Sequence, residues 1–359
     1  MTKFYTLTVR EVTRETADAV SIAFDVPKEL KEEYRYKHGQ YLTLKFILGG
    51  EEIRRSYSIC SSPLETNELR VAVKRVKDGK VSNYMFDSVK AGDLIEVMTP
   101  MGAFTSEMDP SHTKNYVLFA GGSGITPMLS ILKTVLASEP KSTVVLLYGN
   151  NDVASIIFLA QIEELAEKYS ERFQAVYIVN TPSPNHPLLY VGLMTVENNL
   201  VLMEKHVEPS LDNEFFICGP TPMMDNVVAA LQKLQTPKEK IHIEYFSAPT
   251  EPVEAITAEE KINYYEGSSL TVIMDGDEYE TTMLPGEAVL FAAKRIGLDA
   301  PYSCQNGSCS TCRAKLVSGK VHMHVNFALN ADNLAHGFIL TCQSRPLTSE
   351  ITVNYDEAM

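Results

Sequence analysis

The chain has 359 residues, of which 45% are hydrophobic and 22% are charged. This length exceeds what one hydrophobic core usually fills, so we expect two or three domains, and the composition excludes a mostly disordered chain. Acidic residues outnumber basic residues by 46 to 32, and the net charge of −14 argues against nucleic acid as a partner. No run approaches the roughly 18 apolar residues of a membrane span, and no apolar signal region follows the N-terminus. We therefore expect a cytoplasmic protein without membrane association.

The first hundred residues predict a small antiparallel β-barrel. Short β-rich runs alternate with turns, for example at 20–24, 40–46 and 69–73. Runs of this length and spacing are typical of such barrels. One helix is expected near 81–89, and we place this domain at 1–106.

The hydrophobic period then changes to an alternation of strands and helices. Strands are expected at 116–120, 143–148, 173–179 and 215–218, and helices at 127–137, 154–168 and 222–234. Strand–helix–strand order predicts a parallel sheet that binds ligands at the carboxyl ends of its strands. We place this α/β domain at 112–246.

A proline-containing acidic segment separates this domain from the last one. Residues 247–262 show neither a strand nor a helix period, and we interpret them as a linker. In the last domain, at 263–359, we expect strands at 270–274 and 278–283, a helix at 287–296, a cysteine loop and further strands from Arg313 onward. No internal repeat interrupts this organisation.

The cysteine loop is the strongest chemical signal in the sequence. Cys304, Cys309 and Cys312 follow the pattern Cys-x4-Cys-x2-Cys, and 29 residues separate Cys312 from Cys342. This is the spacing of plant-type 2Fe-2S ligation. Structural zinc normally uses two close pairs of ligands, which makes zinc the weaker interpretation. The segment resembles plant-type ferredoxins, which implies an α+β domain of the β-grasp type in which all four cysteines bind the cluster.

A glycine-rich turn occupies 120–127, where a strand passes into a helix. Its sequence is Ala-Gly-Gly-Ser-Gly-Ile-Thr-Pro, and we expect Thr126 to be the N-cap and Pro127 to lie in the first helical turn. Its glycines allow a pyrophosphate to approach the helix N-terminus, although the spacing differs from Gly-x-Gly-x-x-Gly and a tight connection alone would also use glycines. The segment Cys-Gly-Pro at 218–220 ends a later strand, and the two segments are expected to meet at the ligand-binding edge.

A third motif lies in the barrel, where 54–59 reads Arg-Arg-Ser-Tyr-Ser-Ile. Arg55 has the geometry to bind a phosphate, Tyr57 to stack on a flat ring and Ser58 to hydrogen-bond a ring edge. By itself, however, the motif is better explained as an edge strand that exposes an arginine.

Together, Arg-x-Tyr-Ser, Gly-Gly-x-Gly-Ile-Thr-Pro and Cys-Gly-Pro resemble the ferredoxin–NADP reductase superfamily over 1–246. With the ferredoxin module, the whole chain resembles reductase components of multicomponent oxygenases. Within them, the segments Ser-Gly-Ile-Thr-Pro-Met-Leu and Cys-Gly-Pro-x-x-Met-Met are similar to the reductase subunits of bacterial phenylacetyl-CoA epoxidases. The resemblance implies electron transfer from NAD(P)H through FAD to the 2Fe-2S cluster and on to an oxygenase.

The resemblance also implies residue roles, with a turn at 79–82 that favours FAD over FMN. The residues implied in cofactor binding are Arg55, Tyr57, Ser58, Lys74, Val76, Gly79, Val81, Ser82, Gly122, Gly124, Thr126, Asn151, Cys218, Gly219, Pro220 and Phe246. The residues implied in hydride transfer are Ser58, Cys218 and Glu244.

The preferred nucleotide and the partner each have more than one candidate. Relatives that use NADPH often carry an arginine after Tyr-Gly-Asn, whereas this chain has Asn151 and Asp152 there, so NADPH and NADH both remain candidates. The partner is either phenylacetyl-CoA epoxidase or another diiron or Rieske hydroxylase of aromatic or steroid substrates. A self-contained NAD(P)H oxidoreductase and a redox-sensing regulator are the alternatives from other classes.

Overall fold

The computed structural model describes residues 3–65, 68–182, 190–246 and 262–358. These residues build three hydrophobic clusters and form two compact units, the first made of Phe4–Ile53 and Tyr57–Glu244 and the second built mainly from Tyr245–Met359. Across the described ranges, no helix combines the length and the apolar character that a bilayer crossing requires. Except for Ile262, the linker expected at 247–262 lies outside the described residues.

The first sheet confirms the predicted antiparallel barrel. Its elements are β1 (Phe4–Thr16), β2 (Ala19–Asp25), β3 (Tyr41–Leu48), β4 (Glu51–Ser58), β5 (Leu69–Lys74), α1 (Lys80–Asp87) and β6 (Leu94–Met98). The strand order is β4-β3-β6-β1-β2-β5, and a bridge between Ile59 and Val71 joins the two ends of the sheet. Inward-facing Leu7, Ile22 and Val97 are fully buried and form part of the barrel core.

The second sheet is parallel throughout, as predicted. Its elements are β7 (Lys114–Gly121), α2 (Ile125–Ser138), β8 (Thr143–Asn150), α3 (Leu159–Lys168), β9 (Phe173–Val179), β10 (Tyr190–Val191), α4 (Val196–His206), β11 (Asp212–Cys218), α5 (Thr221–Lys233) and β12 (Ile241–Glu244). The strand order is β10-β9-β8-β7-β11-β12, and every neighbouring pair is parallel. The central strands are buried on both faces, which explains their continuous apolar runs.

Two local expectations in this domain were wrong. The helix expected at 154–168 begins only at Leu159, because the Asp152 carboxylate accepts the Ser155 N–H at 2.8 Å and closes a short 3-10 turn instead. The left-handed φ of 64° at Phe158 then separates this turn from α3. Thr126 is not an N-cap: α2 begins one residue earlier, and the Thr126 hydroxyl donates to the Ser123 carbonyl at 3.0 Å. The sequence patterns also missed α4 and β12.

The last domain has the β-grasp arrangement that was expected. Its elements are β13 (Ser269–Met274), β14 (Asp277–Thr282), α6 (Val289–Arg295), β15 (Arg313–Ser318), β16 (Val321–Met323), α7 (Ala331–Ala335), β17 (Phe338–Leu340), β18 (Ser344–Pro346) and β19 (Glu350–Asn354). The main sheet has the order β14-β13-β19-β15-β17, with β13 and β19 parallel. Val289, Leu290 and Ala293 of α6 are fully buried in the core of this domain.

Candidate functional site

The glycine-rich turn and the Cys-Gly-Pro segment meet at the carboxyl edge of the parallel sheet. The register of β7 and β11 pairs Ala120 with Cys218, so the two strands end side by side. A Cβ added at Gly124 would lie 2.1 Å from the Cys218 carbonyl oxygen, and one added at Gly219 would lie 2.9 Å from the Gly121 nitrogen. Only glycine permits this approach, which gives the Gly124 and Gly219 positions a steric explanation.

A left-handed residue and a hydrogen bond fix the conformation of the glycine-rich turn. Gly122 has a left-handed φ of 51°, and the buried Tyr148 hydroxyl donates to its carbonyl at 2.9 Å. Thr126 is buried in the first turn of α2. The turn therefore presents its backbone at the positive end of a 14-residue helix, where an anion is favoured.

A cavity of about 360 Å³ opens at the same edge, which lies within the usual range for a cofactor site. Lys74, Gly122, Asn151 and Pro220 were all predicted to bind a cofactor, and all four line this cavity. The lining residues that the sequence analysis missed include Asn150, Asn180, Met194, Met223 and Asn226. Asn150 and Asn180 lie where β8 and β9 end, and Met223 and Asn226 lie in the first two turns of α5, which was the signal that could have identified them. Met194 lies between β10 and α4 and carries no such signal.

Ser58, Cys218 and Glu244 also come together at this edge. The Ser58 hydroxyl, at the end of β4, donates to the Glu244 carboxylate at 3.2 Å. The register of β11 and β12 pairs Cys218 with Glu244. Burial raises the pKa of Glu244 to about 8, although the Ser58 hydrogen bond opposes this shift. Glu244 is therefore largely protonated at neutral pH and can hold or release a proton there.

Burial likewise raises the pKa of the Cys218 thiol well above its ordinary value. The side chain is fully buried at the end of β11, so it stays a neutral thiol rather than a nucleophilic thiolate. Cys218 consequently contributes its shape and a weak S–H donor to the carboxyl edge of the sheet.

The turn expected to hold FAD phosphates lies between β5 and α1. Gly79 is the N-cap residue of α1, and a Cβ added there would lie 2.4 Å from the Ser82 hydroxyl. The same hydroxyl accepts the Val76 N–H at 3.2 Å, so these three residues form one compact turn. The Val81 side chain packs in the barrel core, which leaves only its backbone amide for a ligand. The first amides of α1 lack partners within the helix and suit a phosphate.

The remaining flavin candidates are accessible. Arg55 is exposed on β4, Tyr57 is half-buried against the barrel core, and Val76 is 62% exposed. Phe246 lies two residues beyond β12 and is 43% exposed. A planar ring and a phosphate can therefore reach the side chains that the sequence proposed for them.

The four cysteines of the last domain approach one another in two pairs. The Cys309 thiol lies 3.0 Å from the Cys304 sulfur, and the Cys312 thiol hydrogen-bonds that of Cys342. The N–H groups of Asn306 and Cys309 donate to the Cys304 sulfur at 3.5 and 3.3 Å.

This donor set fits a binuclear cluster better than a single ion. In the described part of the chain, no group of three or more His, Cys, Asp or Glu side chains could hold one metal ion. A 2Fe-2S cluster needs two thiolates on each iron, which two pairs supply. A structural zinc ion would need all four sulfurs around one point.

Comparisons with known proteins agree with this site. Over 357 residues, the chain is 41% identical to one of the subunits of 1,2-phenylacetyl-CoA epoxidase from Escherichia coli (strain K12), with 99% of both chains covered. It is 37% identical to the ferredoxin reductase component of 3-ketosteroid-9-alpha-monooxygenase from Mycolicibacterium smegmatis, with 98% of this chain and 97% of the relative covered. The chain belongs to the family of oxygenase reductase components.

Family models divide this reductase component into its parts. An oxidoreductase FAD-binding domain matches residues 6–106, an oxidoreductase NAD-binding domain 118–229, and a 2Fe-2S iron-sulfur cluster binding domain 272–347. Its fold is similar to that of phthalate dioxygenase reductase, with a TM-score of 0.58, 23% identity and 98% of each chain covered. The predicted cofactors, fold class and oxidoreductase chemistry are thereby confirmed.

Proposed function

We propose that this chain takes electrons from NAD(P)H and delivers them one at a time to the oxygenase component of a multicomponent system in the cytoplasm. The pairing of Cys304 with Cys309 and of Cys312 with Cys342 carries this proposal, because a binuclear cluster is a one-electron outlet. A reducing compartment suits a chain whose cysteines serve as metal ligands or free thiols.

Bound FAD would supply a carrier that takes up two electrons as a hydride and gives them up singly, which is the chemistry that a nicotinamide and a 2Fe-2S cluster need between them. The protein must align the donor and acceptor and exclude water from them. We assign Arg55, Tyr57, Lys74, Val76 and the turn at 79–82 to FAD. Gly122, Gly124, Thr126, Asn151, Gly219 and Pro220 are assigned to the nicotinamide nucleotide.

Ser58, Cys218 and Glu244 are assigned to the transfer itself. Ser58 and Glu244 are hydrogen-bonded to each other, and Cys218 lies on the neighbouring strand. With its raised pKa, Glu244 holds a proton near neutral pH and can share it through the Ser58 hydroxyl with a ring nitrogen. The neutral Cys218 thiol limits how the nicotinamide ring can approach. Phe246 is assigned to FAD binding.

We further propose that FAD binds to 1–106, the nicotinamide nucleotide to 112–246 and the cluster to 263–359. For the partner we favour the oxygenase component of phenylacetyl-CoA epoxidase, and hence a role in phenylacetate catabolism. This choice is supported by the 41% identity over 99% of the chain, whereas identity to the 3-ketosteroid-9-alpha-monooxygenase component is 37%. Residues 263–359 carry 11 acidic and 6 basic residues, so a basic face on the oxygenase would favour association.

The experiment compares two cysteine variants of the full-length, iron-replete protein. Cys309→Ser removes a cluster ligand and should lower the rate of cytochrome c reduction roughly a hundredfold, because the one-electron outlet is lost. Anaerobic bleaching of the flavin by NADH or NADPH should continue. Cys60→Ser is the matched control, since Cys60 is a buried thiol in the barrel domain, outside the cysteine pairs.

The same two variants are then tested with the purified oxygenase component of phenylacetyl-CoA epoxidase in place of cytochrome c. We expect Cys60→Ser to support epoxidation and Cys309→Ser to fail. Undiminished cytochrome c reduction by Cys309→Ser would favour a self-contained oxidoreductase. If the protein supported turnover only with a steroid or aromatic-ring hydroxylase, the proposed partner would be wrong and the electron relay would stand.

A further inference from the structure

Four neutral amide side chains line the nucleotide cavity, three of them where β8 and β9 end. Asn150 ends β8, Asn151 follows it, Asn180 follows β9, and Asn226 comes from α5. The Asn180 side-chain amide donates to the Asn151 side-chain oxygen at 3.3 Å, and the Asn180 backbone N–H donates to the Asn151 carbonyl at 3.1 Å. These contacts fix two of the amides relative to each other at the carboxyl edge of the sheet.

Asn150 is the member of this set whose buried side-chain amide has no hydrogen bond to the described residues. Its side chain lines the cavity and is only 9% exposed, yet neither its amide nitrogen nor its amide oxygen has a hydrogen-bond partner among the described residues. An unpaired buried amide costs on the order of 1–3 kcal/mol, so its retention needs an explanation. A ligand that supplies both an acceptor and a donor would satisfy it.

The charges where β8 and β9 end are unfavourable for an additional anion. Among the described residues that line the cavity, Lys74 is the one with a formal charge. It lies at the glycine-turn end, 4.0 Å from where a Gly122 Cβ would be, and pairs with Asp18 at 3.4 Å. Asp152 directly follows Asn151, and its carboxylate accepts the Ser155 N–H at 2.8 Å.

We propose that these amides make the protein select NADH over NADPH. Asn150 binds the adenosine half of the nucleotide, and Asn151 together with Asp152 disfavours a 2′-phosphate. The inference rests on the proposed function, since it concerns the nucleotide that feeds the relay. A ribose 2′-hydroxyl needs only neutral or acidic hydrogen-bond partners, whereas a 2′-phosphate needs a cation. Where β8 and β9 end, the described residues that line the cavity supply neutral hydrogen-bond partners and no cation.

The first test measures anaerobic flavin reduction in the full-length holoprotein with NADH and with NADPH by stopped flow. The second-order rate constant should favour NADH by roughly tenfold or more. Asn151→Arg places a cation beside the ribose and should raise the NADPH constant about tenfold. Gln232→Arg adds the same charge at the exposed C-terminal end of α5, near the opposite edge of the sheet, and should leave the NADH-to-NADPH ratio unchanged.

The outcomes separate the inference from the function on which it rests. NADPH reducing the wild-type flavin as fast as NADH would overturn the inference and leave the relay intact. Failure of both nucleotides to reduce the flavin would overturn the proposed function itself. An equal response to Asn151→Arg and Gln232→Arg would show a general charge effect and remove Asn151 from the specificity determinants.

The second test concerns Asn150. Asn150→Leu keeps the side-chain size and should weaken binding of NADH and of ADP-ribose about fivefold or more by isothermal titration. Since neither amide atom has a hydrogen-bond partner among the described residues, the thermal midpoint without nucleotide should not fall. Unchanged affinity, or a lower midpoint with unchanged affinity, would contradict a role in ligand binding.

Discussion

Two carboxylates on neighbouring strands of the parallel sheet have opposite electrostatic environments. Glu214, in the amino-terminal half of β11, is buried, which by itself raises its pKa, but hydrogen bonds from His242 and Lys114 at 2.9 Å each lower it to about 2. Glu244 ends β12, and burial raises its pKa to about 8 against the single hydrogen bond from Ser58. Because the strands are parallel, the two carboxylates lie toward opposite edges of the sheet.

The difference separates a structural role at the amino edge of the sheet from the chemical role that we propose at its carboxyl edge. At the amino edge, the protein neutralises a buried charge with partners from β7 and β12. At the carboxyl edge, it leaves the carboxylate beside a hydroxyl and a neutral thiol. Perturbed carboxyl groups of the second kind are candidates for proton transfer, whereas the first kind stabilises structure.

The largest effect is expected from Glu214→Gln, which leaves the Lys114 ammonium without its carboxylate. The free energy of unfolding at pH 7 should fall by about 3 kcal/mol. Because the folded pKa is lowered from 4.5, the stabilisation is present above about pH 4.5 and disappears as the pH falls toward 2. Urea unfolding of both proteins at pH 7 and pH 3 measures this. Glu171→Gln, at an exposed position before β9, is the control, and equal loss in the two variants would contradict the comparison.

The opposite change in the free energy of unfolding is expected for Glu244→Gln. The folded pKa of Glu244 is raised from 4.5 to about 8, so the wild type loses stability as the pH rises between these values. The neutral glutamine avoids that loss, and the variant should be more stable by about 2 kcal/mol at pH 9 and no different near pH 4. Urea unfolding of the flavin-loaded protein at both pH values measures it. A variant that is less stable at pH 9 would show that Glu244 has a cationic partner in solution.

The smallest effect is expected from Ser58→Ala, which removes a hydrogen bond that lowers the pKa of Glu244. Flavin reduction at neutral pH should slow roughly tenfold, and the pH at which the rate changes should move upward. Stopped-flow rates between pH 6 and pH 10 measure both quantities. Ser58→Thr keeps the hydroxyl and should restore most of the rate; if it behaves like the alanine variant, the hydroxyl has no part in the transfer.

The sequence predicted most of the architecture because its strands are strongly patterned. The apolar runs before Gly121 and Cys218 identified the central strands, and the turn chemistry located the edge where they meet. It failed where a local side chain overrides the pattern, as when Asp152 closes a turn inside an otherwise helical stretch. Asn150 was missed for another reason: its significance is that its buried side chain has no hydrogen-bond partner in the described part of the fold, which depends on the residues that surround it there.

The spacing of the cysteine pairs has a consequence for maturation. Cys304 and Cys309 belong to one loop, whereas Cys312 and Cys342 connect that loop to the segment after β17. Iron held across the second pair closes a long stretch of polypeptide and lowers the entropy of the unfolded ensemble, much as a crosslink does. Iron starvation would therefore loosen the β-grasp fold first, while the barrel and the parallel sheet, each with its own core, retain their structure.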